Sequence, residues 1–283
     1  MKISYTQFLP NFLELESNIE KVRAILEDNK SQVENSDVFV FPEYFLSGSL
    51  NIDFLEEYKQ KGGSDYIKKE LKQISSQYPD TYFVFGSLVN NKEENYYNTT
   101  VVVKKGKILG EYNKKALIYH EQYYLEADNE IFYFKAENDL KVGVAICWDI
   151  MYPEIFRKYI GKVDLMVVPS FWGIGGNPLQ QKYSIQLEKR YYDSLGVARA
   201  YENGTTVLFV NSVGKYESEF YSDRMMGGSY FVHPPKGIIH KNTDKDPYKV
   251  YSVEFDKNLL QEYRENYAPE EDFENYKEQG LFL

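Results

Sequence analysis

Val38-Phe39-Val40-Phe41-Pro42-Glu43 decides how this chain folds, because Leu165-Met166-Val167-Val168-Pro169-Ser170 repeats its design more than a hundred residues later. Each is a short run of branched and large apolar residues that follows a helical segment and stops at proline, the pattern of a strand buried on both faces. The correspondence continues downstream. Val101-Val102-Val103-Lys104-Lys105-Gly106-Lys107-Ile108 is matched by Tyr230-Phe231-Val232-His233-Pro234-Pro235-Lys236-Gly237-Ile238, in both cases a strand, a basic-Gly turn and a second strand. Two such halves would each form a sheet with helices on one face. Burying the remaining faces against each other gives a four-layer α/β/β/α sandwich of two mixed sheets.

Working outward, strands are expected at 3–8, 37–41, 81–89, 99–104 and 107–112, then at 131–135, 141–146, 163–168, 206–211, 229–232, 238–241 and 250–255. Helices are expected over 16–31, where Ile19, Val22, Ile25 and Leu26 recur at helical spacing, over 50–78 with a break near Gly62-Gly63, from Pro153, and in a long segment ending near Asn203-Gly204. No Pro/Gly/Ser-rich linker divides the chain, so one domain is expected over residues 1–283, with a C-terminal tail from about residue 264.

Composition narrows the function. A net charge of −10 and a pI near 5.0 argue against an extended nucleic-acid surface, which needs clustered Lys and Arg. No apolar run approaches the roughly 18 residues of a membrane span, so no membrane partner is expected. The N-terminal residues read as a strand and not a leader, and one cysteine forms no internal disulfide; a reducing cytoplasm fits both.

That cysteine, Cys147, closes the run Val142-Gly143-Val144-Ala145-Ile146 and is followed by Trp148-Asp149-Ile150-Met151-Tyr152-Pro153-Glu154. A lone cysteine is ordinarily a small core residue, but a strand-to-helix turn presents a thiol and supplies N–H groups for developing negative charge. The three histidines are His120, His233 and His240. The last two read as peripheral, and His120 lacks a recognisable orienting Asn or Asp. A base other than histidine is therefore sought. Glu43 follows Pro42 at the carboxyl edge of its strand, where α/β folds place ligand sites, and a poorly solvated carboxylate there suits a general base. Lys114, or its neighbour Lys115, could supply a positive charge that lowers the thiol pKa and holds an oxyanion. No cluster of His, Cys and carboxylates at metal-ligand spacing is visible, and this chemistry requires no metal or organic cofactor.

Phe41-Pro42-Glu43, Tyr112-Asn113-Lys114 and Gly143-Val144-Ala145-Ile146-Cys147-Trp148-Asp149, in this order, resemble the nitrilase, or carbon-nitrogen hydrolase, superfamily. Val168-Pro169-Ser170, Ala198-Arg199-Ala200-Tyr201-Glu202-Asn203, Asn211-Ser212-Val213-Gly214 and Gly227-Gly228-Ser229 extend the likeness almost end to end. The resemblance implies hydrolysis of nonpeptide carbon-nitrogen bonds by Glu43, Lys114 and Cys147, choosing Lys114 over Lys115. It also implies a second glutamate that positions the substrate nitrogen and the lysine. Glu121, seven positions beyond Lys114, matches, with Glu126 as its rival. Asn113, Ala116 and Met151 depart from the family's frequent Arg, His and Arg, which bears on substrate preference more than on chemistry.

The expected activity is a thiol-dependent amidase acting on a small linear amide, with an N-carbamoyl amidase or nitrilase as alternatives and a noncatalytic oligomeric binding protein as the different class. Trp148, Tyr44, Trp172, Tyr119 and Tyr123 are expected near the substrate. The resemblance further implies a homodimer or higher homo-oligomer.

Overall fold

In the computed structural model, which describes residues 1–174, 185–243 and 245–279, the two matched segments fall at the same place in two sheets. The first half runs β1 (Lys2–Thr6), α1 (Leu15–Asp28), α2 (Lys30–Glu34), β2 (Val38–Val40), α3 (Leu55–Gln60), α4 (Gly63–Gln77), β3 (Tyr82–Lys92), β4 (Asn95–Lys104) and β5 (Lys107–Asn113). The second runs β6 (Tyr133–Lys135), β7 (Lys141–Val144), α5 (Pro153–Arg157), β8 (Leu165–Ser170), α6 (Ile185–Asn203), β9 (Thr206–Asn211), β10 (Val213–Glu217), β11 (Ser222–Met226), β12 (Tyr230–His233) and β13 (Gly237–Lys241). Strand β14 (Val250–Glu254) and helices α7 (Lys257–Tyr267) and α8 (Pro269–Glu278) follow.

One sheet has the order β14-β1-β2-β3-β4-β5 and the other β13-β12-β9-β8-β7-β6. In each, three parallel strands lead into two antiparallel ones: β1, β2 and β3 then β4 and β5, against β7, β8 and β9 then β12 and β13. The likeness reaches the irregularities, since both terminal hairpins shift register once, between Val102 and Val103 and between Phe231 and Val232. Alternation along β2 explains the layering. Val38 and Val40 join the core shared with Val142, Val144, Leu165 and Val167 of the opposite sheet, whereas Phe39 and Phe41 pack with Val22 and Leu26 of α1 and Leu71 of α4. The chain is thus an α/β/β/α sandwich.

The element boundaries follow from local bonding. The first strand pairs only through Thr6, because the Gln7 carbonyl already accepts the Val213 N–H (3.2 Å) and draws the chain out of the sheet. The helix expected over 16–31 ends at Asp28: Asn29 turns its side-chain amide onto the Ile25 carbonyl (2.8 Å), competing with helical bonding, before α2 starts. The break at Gly62-Gly63 is present, with Gly62 at φ 97° and Gly63 at φ 52°, left-handed values suited to glycine. Hairpin β10–β11 was not expected at all. The region past residue 264 is helical, continuing α7 and adding α8. Among the described residues, no helix is long and apolar enough to cross a membrane.

Candidate active site

Both sheets deliver their candidate residues to one cavity of about 740 Å³. Glu43 arrives just after β2. There Gly86, at the register shift of β3, lets the chain pass so close that a Cβ would strike the Pro42 carbonyl oxygen. Tyr44 is then fixed by its N–H bond to Ser87 Oγ (3.1 Å) and takes φ 53°, a cost a non-glycine residue bears only where surrounding contacts impose it. Lys114 follows β5, its N–H donating to the Asn98 carbonyl (2.8 Å). Cys147 follows β7 with φ 44°, a sharp turn that places its side chain in the cavity lining.

Glu43, Lys114 and Glu121 form a buried ionic trio, each no more than 2 % exposed. Lys114 Nζ donates to Glu43 Oε1 (2.9 Å) and lies 2.9 Å from Glu121 Oε2. Desolvated charges of this kind persist only when their remaining lone pairs are also satisfied, and here they are. Asn98 Nδ2 donates to Glu43 Oε1 (2.8 Å) and Glu121 Oε1 (3.2 Å). Tyr44 Oη donates to Glu121 Oε1 (2.6 Å), the Ile118 N–H to Glu121 Oε2 (3.0 Å), and the Phe171 N–H to Glu43 Oε2 (2.9 Å).

Burial opposes the Lys114 charge, yet Glu121 and Glu43 outweigh it and hold the ammonium well above the ordinary lysine range. For Glu121, burial is likewise the largest influence and is overcome by Lys114 and Tyr44, leaving the carboxyl below its usual value. Cys147 goes against expectation. Burial, then the Glu43 charge, push its thiol well above the ordinary value, and Lys114 only partly offsets them. Both influences favour keeping the proton on sulfur.

The turn holding Cys147 is tied to the lysine loop by Asp149, whose role the sequence did not disclose. Asp149 is fully buried. Its Oδ2 accepts the Ile146 N–H and the Tyr112 hydroxyl (both 2.8 Å), and its Oδ1 accepts the N–H groups of Lys115 (3.1 Å) and Ala116 (2.7 Å). Asn98 was missed too, being a polar residue inside a strand that begins four residues earlier than expected.

The rival residues lie outside the ionic trio. Lys115 Nζ bonds the Asp128 and Glu130 carbonyls, and exposed Glu126 donates its backbone N–H to the Tyr96 carbonyl, so neither joins the trio. Of the departures, Asn113 bridges Thr99 and Asp128, Ala116 meets Asp149, and Met151 is half-exposed. Tyr44, Tyr119, Trp148 and Trp172 all line the cavity. Trp148 and Trp172 pack at 5.3 Å, and Trp172 Nε1 donates to Glu188 Oε1 (3.0 Å). Tyr119, 76 % exposed, stands at the rim, edge-on to Tyr123. His120 also lines the cavity, and partial desolvation holds its pKa below the ordinary imidazole value. Phe220, Tyr221 and Asp223, from the unexpected hairpin and its turn, close the far wall.

A thiol facing a carboxylate-ammonium-carboxylate trio on an α/β/β/α sandwich defines a class of hydrolase. The chain belongs to the carbon-nitrogen hydrolase family, whose pattern it matches over residues 2–265, and is an amidase/nitrilase-type hydrolase. It is 29% identical over 218 residues to the 2-oxoglutaramate amidase of Bacillus subtilis, spanning 75% of this chain and 76% of that one. With the N-carbamoylputrescine amidase of Arabidopsis thaliana it shares 23% identity over 240 residues, covering 81% and 77% of the two chains. In fold it is similar to a carbon-nitrogen hydrolase from Helicobacter pylori, with a TM-score of 0.81 at 19% identity over 96% of this chain and 94% of that one.

Proposed function

We propose that this protein hydrolyses a small linear amide to the acid and ammonia through a thioester on Cys147. The observation that carries this reading is the buried Cys147 thiol on the same cavity as Glu43, whose carboxylate is already held by Lys114, Asn98 and the Phe171 N–H. Glu43 takes the thiol proton as sulfur bonds to the amide carbon, and the carbonyl π pair moves onto oxygen. Lys114 and the Trp148 N–H, which makes no hydrogen bond with another described residue, stabilise that oxyanion. The oxyanion collapses, the carbon–nitrogen bond breaks, and Glu43 returns its proton to the departing ammonia. Water, deprotonated by Glu43, then adds to the thioester; the carbon–sulfur bond breaks, and the thiol regains its proton. Glu121 holds Lys114 and positions the substrate nitrogen.

A raised thiol pKa favours this concerted order over a preformed thiolate. Amidase relatives support the choice of an amide over a nitrile, and the cytoplasm and a homo-oligomer remain part of this proposal. Purified protein is expected to release ammonia from some member of a panel of linear amides. Cys147→Ala should abolish release while retaining the wild-type circular dichroism spectrum, and His120→Ala should keep near-normal turnover. Activity surviving in Cys147→Ala would remove the nucleophile from this scheme; loss in His120→Ala as deep as in Glu43→Gln would favour a Cys-His mechanism.

A further inference from the structure

We propose that Tyr44, although it lines the cavity, serves the reaction as a positioning residue: its hydroxyl fixes the charge and orientation of Glu121 and, through Glu121, the placement of Lys114. The inference rests on the amide-hydrolase reading, in which Glu121 holds Lys114, and adds the group that holds Glu121.

Tyr44 directly follows Glu43, so a single turn serves both carboxylates of the trio. Glu43 meets Lys114 Nζ itself (2.9 Å), while the Tyr44 hydroxyl reaches Glu121, the second carboxylate on that ammonium. The left-handed backbone at Tyr44, φ 53°, aims two consecutive side chains at one buried cluster. Glycine adopts such a φ without strain, so a tyrosine held there points to a use of its side chain. Three contacts brace it. Its N–H donates to Ser87 Oγ (3.1 Å), its carbonyl accepts the Gly48 N–H (2.8 Å), and its ring stands edge-on to Phe171 with centroids 6.4 Å apart. Phe171 is also the residue whose N–H holds Glu43 Oε2.

The hydroxyl makes a short contact with Glu121. At 2.6 Å it has the length of an O–H donating to a carboxylate, against 3.2 Å for Asn98 Nδ2 and 3.0 Å for the Ile118 N–H. Its direction is set as well. Burial, then the charge of Glu121, hold the phenol well above the ordinary tyrosine value, so the proton belongs to Tyr44 and Glu121 accepts it. A donor of this kind favours the ionised carboxyl. Among the described residues, the other titratable groups facing Tyr44 or Glu121 are Lys114, Glu43, His120 and Tyr124. Tyr124 donates its own hydroxyl to the Leu50 carbonyl (2.7 Å). His120, held below the ordinary imidazole value by burial, is the one whose titration has to be separated from that of Glu121.

Tyr44→Phe keeps the ring and removes the hydroxyl. The probe is butyramide, or whichever linear amide wild type turns over fastest, and ammonia release gives kcat and KM from about pH 4 to about pH 9. A hydrogen bond to a charged group is worth a factor of ten or more, so kcat near neutral pH should fall about tenfold with KM within about twofold. Glu121 then binds its proton more readily, and the acid limb of kcat should move up by about one pH unit. A merely structural loss of active protein lowers the rate alike at every pH and leaves the limb in place. His120→Ala separates the imidazole, because the same upward shift is expected when Tyr44→Phe is added to that variant. If Tyr44→Phe does not keep the wild-type circular dichroism spectrum, Ser87→Ala, which deprives the Tyr44 N–H of its acceptor and leaves the hydroxyl in place, should move the limb the same way by less. A limb that stays put in the folded variant, or a rise in KM with kcat unchanged, would overturn the positioning role, the latter by making Tyr44 a substrate contact. Failure of wild type to release ammonia from any linear amide would instead strike the amide reading itself.

Discussion

Lys114→Met removes the one cation between Glu43 and Glu121 while keeping most of the side-chain volume. The wild-type trio should be indifferent to pH over a wide range. Lys114, held above its unfolded pKa, contributes stability that is fully present below that unfolded value of about 10.4 and is lost as pH rises through the folded one. Glu121, held below its unfolded pKa, contributes stability present above about 4.3 and lost as pH falls through its lower folded value. The methionine variant inverts the acid side. Two carboxylates then share a dry site without a counterion, so at least one binds a proton more tightly folded than unfolded, and the variant gains stability as pH falls toward the unfolded carboxylate value. Removing one partner of a buried ion pair costs about 3 to 5 kcal/mol, a large share of the usual 5 to 15 kcal/mol. At roughly 2 to 4 °C per kcal/mol in large domains, Tm should drop by about 10 °C at neutral pH. Scanning calorimetry of both proteins at about pH 7.5 and about pH 5 measures this, the gap being expected to narrow at the lower pH. A neutral-pH drop below about 2 °C, or a gap that does not narrow, would refute the claim that Lys114 neutralises two desolvated carboxylates.

Asn98→Ala removes the amide that donates to both Glu43 and Glu121, and kcat should fall about tenfold or more, equivalent to ~1.4 kcal/mol, with a smaller change in KM. Steady-state kinetics showing kcat within about twofold of wild type would assign those bonds no part in turnover. Gly86→Ala drives a methyl into the Pro42 carbonyl, so it should cost about 1 to 3 kcal/mol in denaturant titrations and lower kcat by displacing Glu43; an unaltered midpoint and kcat would mean the contact relaxes freely.

The sandwich was legible because burial on both faces forces strands such as 38–41 and 165–168 into unbroken apolar runs, and because the two halves repeat. Glu43, Cys147 and a lysine at 114 or 115 stood out as residues close after strands, whereas the choice of Lys114 and the singling out of Glu121 came from the family resemblance alone. What stayed hidden depends on partners distant in sequence. Hairpin β10–β11 reads VGKYE and SDRMM, polar stretches lying outside both main sheets, so no apolar pattern betrays them. Asn98 and Asp149 gain their meaning only when strands and loops converge on them. In α7, Leu260 and Tyr263 alone are buried, a pair too sparse to announce a helix. The Cys147 thiol was expected to be acidified by lysine; its acidity is set by how deeply the turn sinks, and no motif encodes depth.

The two-fold repeat of the sandwich divides the chemistry as well as the architecture. Glu43, Lys114 and Glu121 belong to the first half of the chain, whereas Cys147 and the Phe171 N–H that steadies Glu43 belong to the second. Neither half alone holds a thiol beside a carboxylate. Under the proposed mechanism, a chain emerging during synthesis, or one whose sheets have parted, carries an ordinary cysteine, and closure of the interface between sheets brings the thiol its base. Folding is in this sense the arming step, and the rate at which the thiol becomes protected from an alkylating reagent would time the meeting of the two halves.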